Sequence, residues 1–216
     1  MRISKTIAGG ALAVAVAAAA ALTAQSKPAS PATSRQAAPN KSADARIARG
    51  AYLVTAAVCD DCHTPKKWIP GRPDPVPLEG KRLAGHLESE TLPQPPALSQ
   101  SWVAVGSQDF TAWAGPWGVS YAMNLTPDEN TGIGSWSEAT FVQAMKTGRH
   151  MGASRPILPP MPWQSYGQLT DEDLKSIYAF LRTLPAVRNR IPDPAPPPGP
   201  PPGAPAAAAP KPTAKP

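Results

Sequence analysis

Cys59-Asp60-Asp61-Cys62-His63 holds the only two cysteines of a 216-residue chain, with a histidine directly after the second. Two thiols one helical turn apart can reach the two vinyl groups of one porphyrin, and the adjacent histidine is then held against the iron, so C-x-x-C-H points to covalent haem attachment. A bare C-x-x-C also reads as a catalytic dithiol or half of a zinc site. Zinc needs four ligands, and the other histidines, His86 and His150, have no cysteine near them. A thioredoxin-like dithiol wants a strand before it and a helix after it, whereas here a helical pattern precedes and prolines follow. Both cysteines are therefore expected in thioether bonds rather than in a disulfide, around one haem c, since no second C-x-x-C-H occurs.

A haem iron held on one side by His63 needs a partner on the other. Pro159-Pro160-Met161-Pro162-Trp163 has neither helical nor strand period, yet carries a methionine in a proline-braced loop. A thioether in such a loop suits a soft axial ligand, whereas one inside a helix is usually core filler. Met161 is the expected sixth ligand. Met151 and His150 are its first rivals, followed by Met123, Met145 and His86 or an open site.

Three helices must position these groups. The first is expected from Ala43 to Ala57, with Ser42 as N-cap and Ile47, Tyr52 or Leu53, and Val54 on its apolar side. Gly50 within it would admit a second helix at close range. The second helix starts at Trp136-Ser137-Glu138, places Phe141 and Met145 on one face and stops at Gly148. The third has a capping box at Thr170-Asp171-Glu172-Asp173 and an apolar face of Leu174, Ile177, Tyr178 and Leu181, and ends at Pro185. Tyr178 is the aromatic expected against Gly50. The fold class expected is all-α, with about three main helices around one covalent haem and an enlarged loop region between the first two. That region, Lys66 to Tyr121, contains Trp68, Trp102, Trp113 and Trp117, too many large apolar groups to leave in a solvated loop. It is expected to wrap one side of the haem, with a short hairpin, as added shielding or as a docking face.

The remaining segments set the domain boundaries. Residues 1–24 read as a signal peptide: Arg2 and Lys5 precede an apolar run of about 16 residues from Ile7 to Leu22, short of the roughly 20 that span a bilayer. Residues 25–40 form a flexible Ser/Pro/Ala-rich linker, 41–190 the cored domain, and 191–216 a disordered proline-rich tail. Truncation after Pro192 is expected to leave that domain unchanged. The formal charge of +6 falls to about +4 without Arg2 and Lys5. The excess is scattered and lacks an aromatic-interleaved basic stripe, so nucleic acid is not an expected partner. Export to the periplasm fits haem c chemistry, with membrane contact expected only through a retained leader or a partner.

With these blocks in order, the chain resembles class I c-type cytochromes. It is most similar to periplasmic cytochromes related to the cytochrome subunits of bacterial alcohol and gluconate dehydrogenases. The resemblance runs from Ala48 to Val187. It rests on Arg49-Gly50-Ala51-Tyr52-Leu53 leading into the C-x-x-C-H motif and Thr64-Pro65, on Asn124-Leu125-Thr126-Pro127-Asp128 followed by Thr131-Gly132-Ile133-Gly134-Ser135-Trp136-Ser137, and on Pro160-Met161-Pro162-Trp163 with Leu169 to Leu174 and Ala179 to Pro185 behind it. The resemblance implies His63 as proximal and Met161 as distal ligand, and a loop from Asn124 to Trp136 around the haem edge. It implies Trp136 as a donor to a haem propionate or a cap on the pocket, and the neighbourhood of Pro65 as the source of a carbonyl for the His63 Nδ1–H. Many relatives carry three haem domains within a membrane dehydrogenase, whereas this chain has one motif.

The expected function is single-electron transfer between redox proteins, such as a periplasmic dehydrogenase, an oxidase or a membrane cytochrome complex, with no substrate transformed by the chain alone. The alternatives are a haem enzyme or gas sensor with a labile sixth ligand, and an obligate subunit of one dehydrogenase complex.

Overall fold

A computed structural model describes residues 41–96, 98 and 101–197. The expected signal peptide, the linker and the tail beyond residue 197 lie outside the described residues. Helix α1 spans Lys41–Ala56, α2 Cys59–His63, α3 Glu138–Thr147, α4 Trp163–Tyr166 and α5 Asp171–Leu181, with a 3-10 turn at His150–Gly152. Two antiparallel sheets lie between α2 and α3. Strands β1 (Lys66–Lys67) and β2 (Val76–Pro77) form one, and β3 (Val105–Gly106), β4 (Ala112–Gly115) and β5 (Gly118–Tyr121) form the other in that order.

The all-α expectation is therefore overturned: among the described residues, five helices share the fold with two small sheets. The strands come from the enlarged region, where β4 and β5 pair from Ala112↔Tyr121 to Gly115↔Gly118 and alternate buried with half-buried residues. Four-residue strands interrupted by glycine and proline show too little period 2 to be read as strands in advance. The hairpin itself is present. Of the four tryptophans in this region, Trp113 and Trp117 are half-buried, but Trp68 and Trp102 remain 47% and 69% exposed. Burial thus does not explain all four.

The helices form where their caps demand. Ser137 accepts from the Thr140 N–H at the start of α3, and Thr170 accepts from the Asp173 N–H at the start of α5. The Asp173 carboxylate accepts from Arg49 Nε on α1 at 2.9 Å. Ser42 lies within α1 rather than capping it, because the helix already includes Lys41. Leu53 and Val54 are the buried apolar residues of α1, whereas Tyr52 is 63% exposed.

Helices α1 and α5 pack closely at Gly50. A Cβ there would strike the Ser176 carbonyl and stand 2.8 Å from Phe180 Cβ. Tyr178, expected at this contact, is not the partner. Ser176 and Phe180 are four residues apart and share the face toward α1, which turns Tyr178 to the other side. There its hydroxyl donates to the Trp136 carbonyl at 2.5 Å and its ring leans on Phe141. The core cluster of Val54, Leu83, Ile133, Phe141, Leu174 and Leu181 joins α1, α3, α5 and the loops between them.

Candidate haem site

The left-handed conformation of Val58 (φ 51, ψ 33) ends α1 and starts the single turn of α2, which carries Cys59, Cys62 and His63. Non-glycine residues adopt this conformation at a cost and tend to do so where function fixes the chain. Lys66 holds the far end of that turn, its ammonium donating to the carbonyls of Asp60, Asp61 and Thr64 at 3.0, 2.5 and 3.0 Å. A cation at a helix C-terminus is favourable. At the other end Asp60 accepts from Thr64 Oγ1 and from Arg82 Nε and Nη2.

Beside this turn lies a cavity of about 450 Å³. Its wall includes Cys59, Cys62 and His63 from α2 and Met161 from the proline loop, together with Trp136 and Ile133 from the loop before α3. His63 is 8% exposed, and its Nδ1 stands 2.8 Å from the Met123 carbonyl oxygen. A carbonyl only accepts, so Nδ1 carries the proton and Nε2 keeps its lone pair, the tautomer that ligates metal. Burial lowers the His63 pKa, which keeps the ring neutral, though the Met123 bond opposes this. The carbonyl comes from Met123 rather than from the neighbourhood of Pro65, whose own carbonyl accepts from the Leu78 N–H. Pro65 is fully buried outside the cavity wall.

Cys59 and Cys62 are free thiols, both half-buried. Burial pushes the Cys59 thiol up to about 11, helped by Asp60, and also raises Cys62. A catalytic dithiol needs a stabilised thiolate; this environment does the opposite. Two neutral thiols, an imidazole with a free Nε2 and an apolar cavity between them and a thioether fit a covalently held haem.

Met161 sits half-buried in a loop that the rest of the fold restrains. Ser120 Oγ on β5 donates to the Pro159 carbonyl at 2.6 Å, and the Trp163 N–H donates to the Met161 carbonyl at 2.9 Å. Gly148, at φ 65, ends α3 beneath the Trp163 ring, where any Cβ would collide with the indole. Among the rival ligands, Met123, Met145 and His150 also reach the cavity wall. His150 stands edge-on to Trp136, with ring centroids 5.2 Å apart. His86 and Met151 do not line the cavity; Met151 is 50% exposed and His86 is buried elsewhere.

Asn124 lies outside the wall too. It is fully buried, and its amide donates to the carbonyl of Val187 at 2.8 Å and to Thr131 Oγ1 at 3.2 Å. Its Oδ1 accepts from the N–H and hydroxyl of Thr126. The side chain thus ties the loop before α3 to the chain after α5. Asn189, which carries no signal in the sequence, does the same for residues 84–88: its amide donates to the carbonyls of Ala84 and His86, and its oxygen accepts from the Glu88 N–H. Pro194 in the cavity wall and the Tyr166 hydroxyl, which donates to the Ala57 carbonyl at 2.6 Å, also lack any sequence signal, whereas Trp113 in the same wall belongs to the segment expected to wrap the haem.

Known proteins are similar to this chain in sequence. The chain is 31% identical over 137 residues to the gluconate 2-dehydrogenase cytochrome c subunit of Pantoea cypripedii, covering 63% of this chain and 23% of that protein. It is 30% identical over 154 residues to the fructose dehydrogenase cytochrome subunit of Gluconobacter japonicus, covering 68% and 24%. The chain is a relative of the cytochrome c subunits of bacterial dehydrogenases. The cytochrome c subunit of the quinone-dependent alcohol dehydrogenase of Gluconobacter oxydans is also 30% identical, over 154 residues that make up 69% of this chain and 24% of that protein. The chain therefore spans about a quarter of the length of these relatives. No protein-family model matches it.

Proposed function

We propose that the chain is a periplasmic electron-transfer cytochrome with one covalently attached haem c, its iron held between His63 and Met161. When bound, the haem supplies one-electron Fe(III)/Fe(II) chemistry. The observation that carries this reading is the cavity wall shared by Cys59, Cys62, His63 and Met161, with the His63 tautomer set by Met123. Cys59 and Cys62 fix the cofactor covalently. The Met123 carbonyl orients the imidazole, and the Ser120–Pro159 bond steadies the methionine loop. The apolar wall keeps water out and disfavours extra positive charge, which together with a thioether ligand raises the reduction potential.

The relatives' names are those of dehydrogenase subunits, and a dehydrogenase is accordingly the proposed electron donor. The single C-x-x-C-H motif supports one haem, and the leader-like segment at residues 1–24 supports export. Met161→Ala tests the ligand assignment: the thioether-to-ferric-iron charge-transfer band should vanish and the potential should fall. An unchanged band would remove Met161 from the site. Rapid, complete carbon monoxide binding by the reduced wild-type protein at neutral pH would instead assign a haem enzyme or gas sensor.

A further inference from the structure

Outside the haem cavity, three metal-ligating side chains converge. His86, Glu90 and Asp109 each offer an atom within 4.8 Å of the other two. They come from two loops, one following Gly85 and one leading into β4. His86 is 1% exposed and Asp109 5%, while Glu90 is half-buried. None of the three forms a salt bridge with a lysine or arginine among the described residues.

The hydrogen bonds around the cluster set its chemistry. Thr111 Oγ1 donates to Asp109 Oδ2 at 2.6 Å, which uses its only proton. The contact between His86 Nδ1 and the same hydroxyl, at 2.8 Å, is therefore one in which the imidazole donates. That leaves Nε2 with its lone pair, available to a ligand. Asp109 Oδ1 accepts from Ser107 Oγ and the Thr111 N–H, so three of the roughly four acceptor positions of this carboxylate are filled. One remains on Oδ2.

We propose that His86, Glu90 and Asp109 bind a divalent transition-metal cation. Two carboxylates and a neutral imidazole carry two negative charges in a largely buried place, which a dication neutralises. A nitrogen and oxygen set without thiolate suits zinc or manganese rather than copper(I), and the imidazole makes calcium and magnesium poorer occupants. Zinc–ligand bonds of about 2.1 Å in a tetrahedron put donor atoms about 3.4 Å apart. The present spacing of up to 4.8 Å then closes by up to about 1.4 Å, within reach of the half-buried Glu90 side chain, and water takes the fourth position. The Nδ1–H bond to Thr111 is the kind of outer contact that fixes a ligating imidazole.

The site would brace the haem pocket from behind. The Gly85 N–H donates to the His63 carbonyl and the His86 N–H to the Ala122 carbonyl, next to the residue that holds the His63 ring. A cation there would clamp this loop to the segment entering β4.

The test uses the haem-loaded full-length protein, stripped with EDTA and titrated with zinc chloride by calorimetry. One equivalent should bind and raise the melting temperature. His86→Gln and Glu90→Gln should each weaken binding by at least tenfold and abolish the melting shift, with the visible absorption spectrum unchanged as the check on folding. Should His86→Gln fail to fold, the partly exposed Glu90→Gln decides alone. Absence of a one-equivalent event, or equal affinity in wild type and Glu90→Gln, would overturn the proposal.

Discussion

At His63 a backbone atom, not a side chain, settles the chemistry. The Met123 carbonyl fixes the proton on Nδ1 and so leaves on Nε2 the lone pair that the proposed ligation needs. Nothing in the letters around Met123 marks that role, because every residue carries a carbonyl. The charged residues of the same turn are equally silent in the sequence, although Asp60 has a measurable part. Burial alone would raise its carboxyl, but hydrogen bonds from Arg82 and Thr64 outweigh that and hold it below the ordinary range. A carboxyl depressed in the folded state adds stability above its unfolded value of about 3.9, and that stability is lost as pH falls through the folded value. Asp60→Asn should therefore lower stability at pH 7 by about 1 kcal/mol, a figure kept small because Arg82 is half exposed and screened. It should also flatten the decline of stability with pH below about 4. Urea midpoints of both proteins at pH 7, 5 and 3 provide the measurement, and parallel curves would remove Asp60 from the acid response.

At the scale of elements, legibility follows the strength of local signals. Helix α3 is readable at both ends and α5 at its start, because Ser137, Gly148 and Thr170 are capping residues whose bonds the structure contains, whereas α5 stops at Leu181, short of the expected end at Pro185. Gly50 is readable as a point of close approach, but its partner is not. The partner depends on which face of α5 turns inward, and Tyr178 and Phe180 are equally apolar in the sequence. The strands are unreadable individually, since β1, β2 and β3 have two residues each and exist only through their pairing. The packing of α1 on α5 gives a direct test. In Gly50→Ala the new methyl meets the Ser176 carbonyl and Phe180 Cβ; neither can retreat without separating the helices. The substitution should cost about 3 kcal/mol by overpacking, more than offsetting the gain in helix propensity of about 1 kcal/mol. Thermal unfolding is the check: a midpoint equal to or above that of wild type would mean that the crossing is looser than these distances indicate.

At the scale of the whole molecule, the cavity is a joint product of segments far apart in the chain, and the start of the proline-rich tail belongs to it. Ala195 exchanges both backbone hydrogen bonds with Val119 on β5, at 2.9 and 3.0 Å. Gly118, at φ 95, lies directly under residues 195–197, and Pro194 reaches the cavity wall. Composition alone marks everything after Arg190 as a stiff extension, because proline-rich sequence is extended whether or not something lies beside it. An extended strand is also what an open sheet edge accepts, and β5 offers that edge. The expectation that truncation after Pro192 leaves the domain unchanged is accordingly replaced. Removing residues 193–216 deletes two backbone hydrogen bonds and re-exposes part of the edge, at a cost of about 1–3 kcal/mol. The urea midpoint should fall while the slope stays close to that of the full chain, since little surface is involved. Truncation after Pro197 retains every one of these contacts and should match the full-length protein. If the shorter and longer truncations unfold at the same midpoint, the Ala195–Val119 pairing contributes nothing to stability, and the first residues of the tail are passengers on β5.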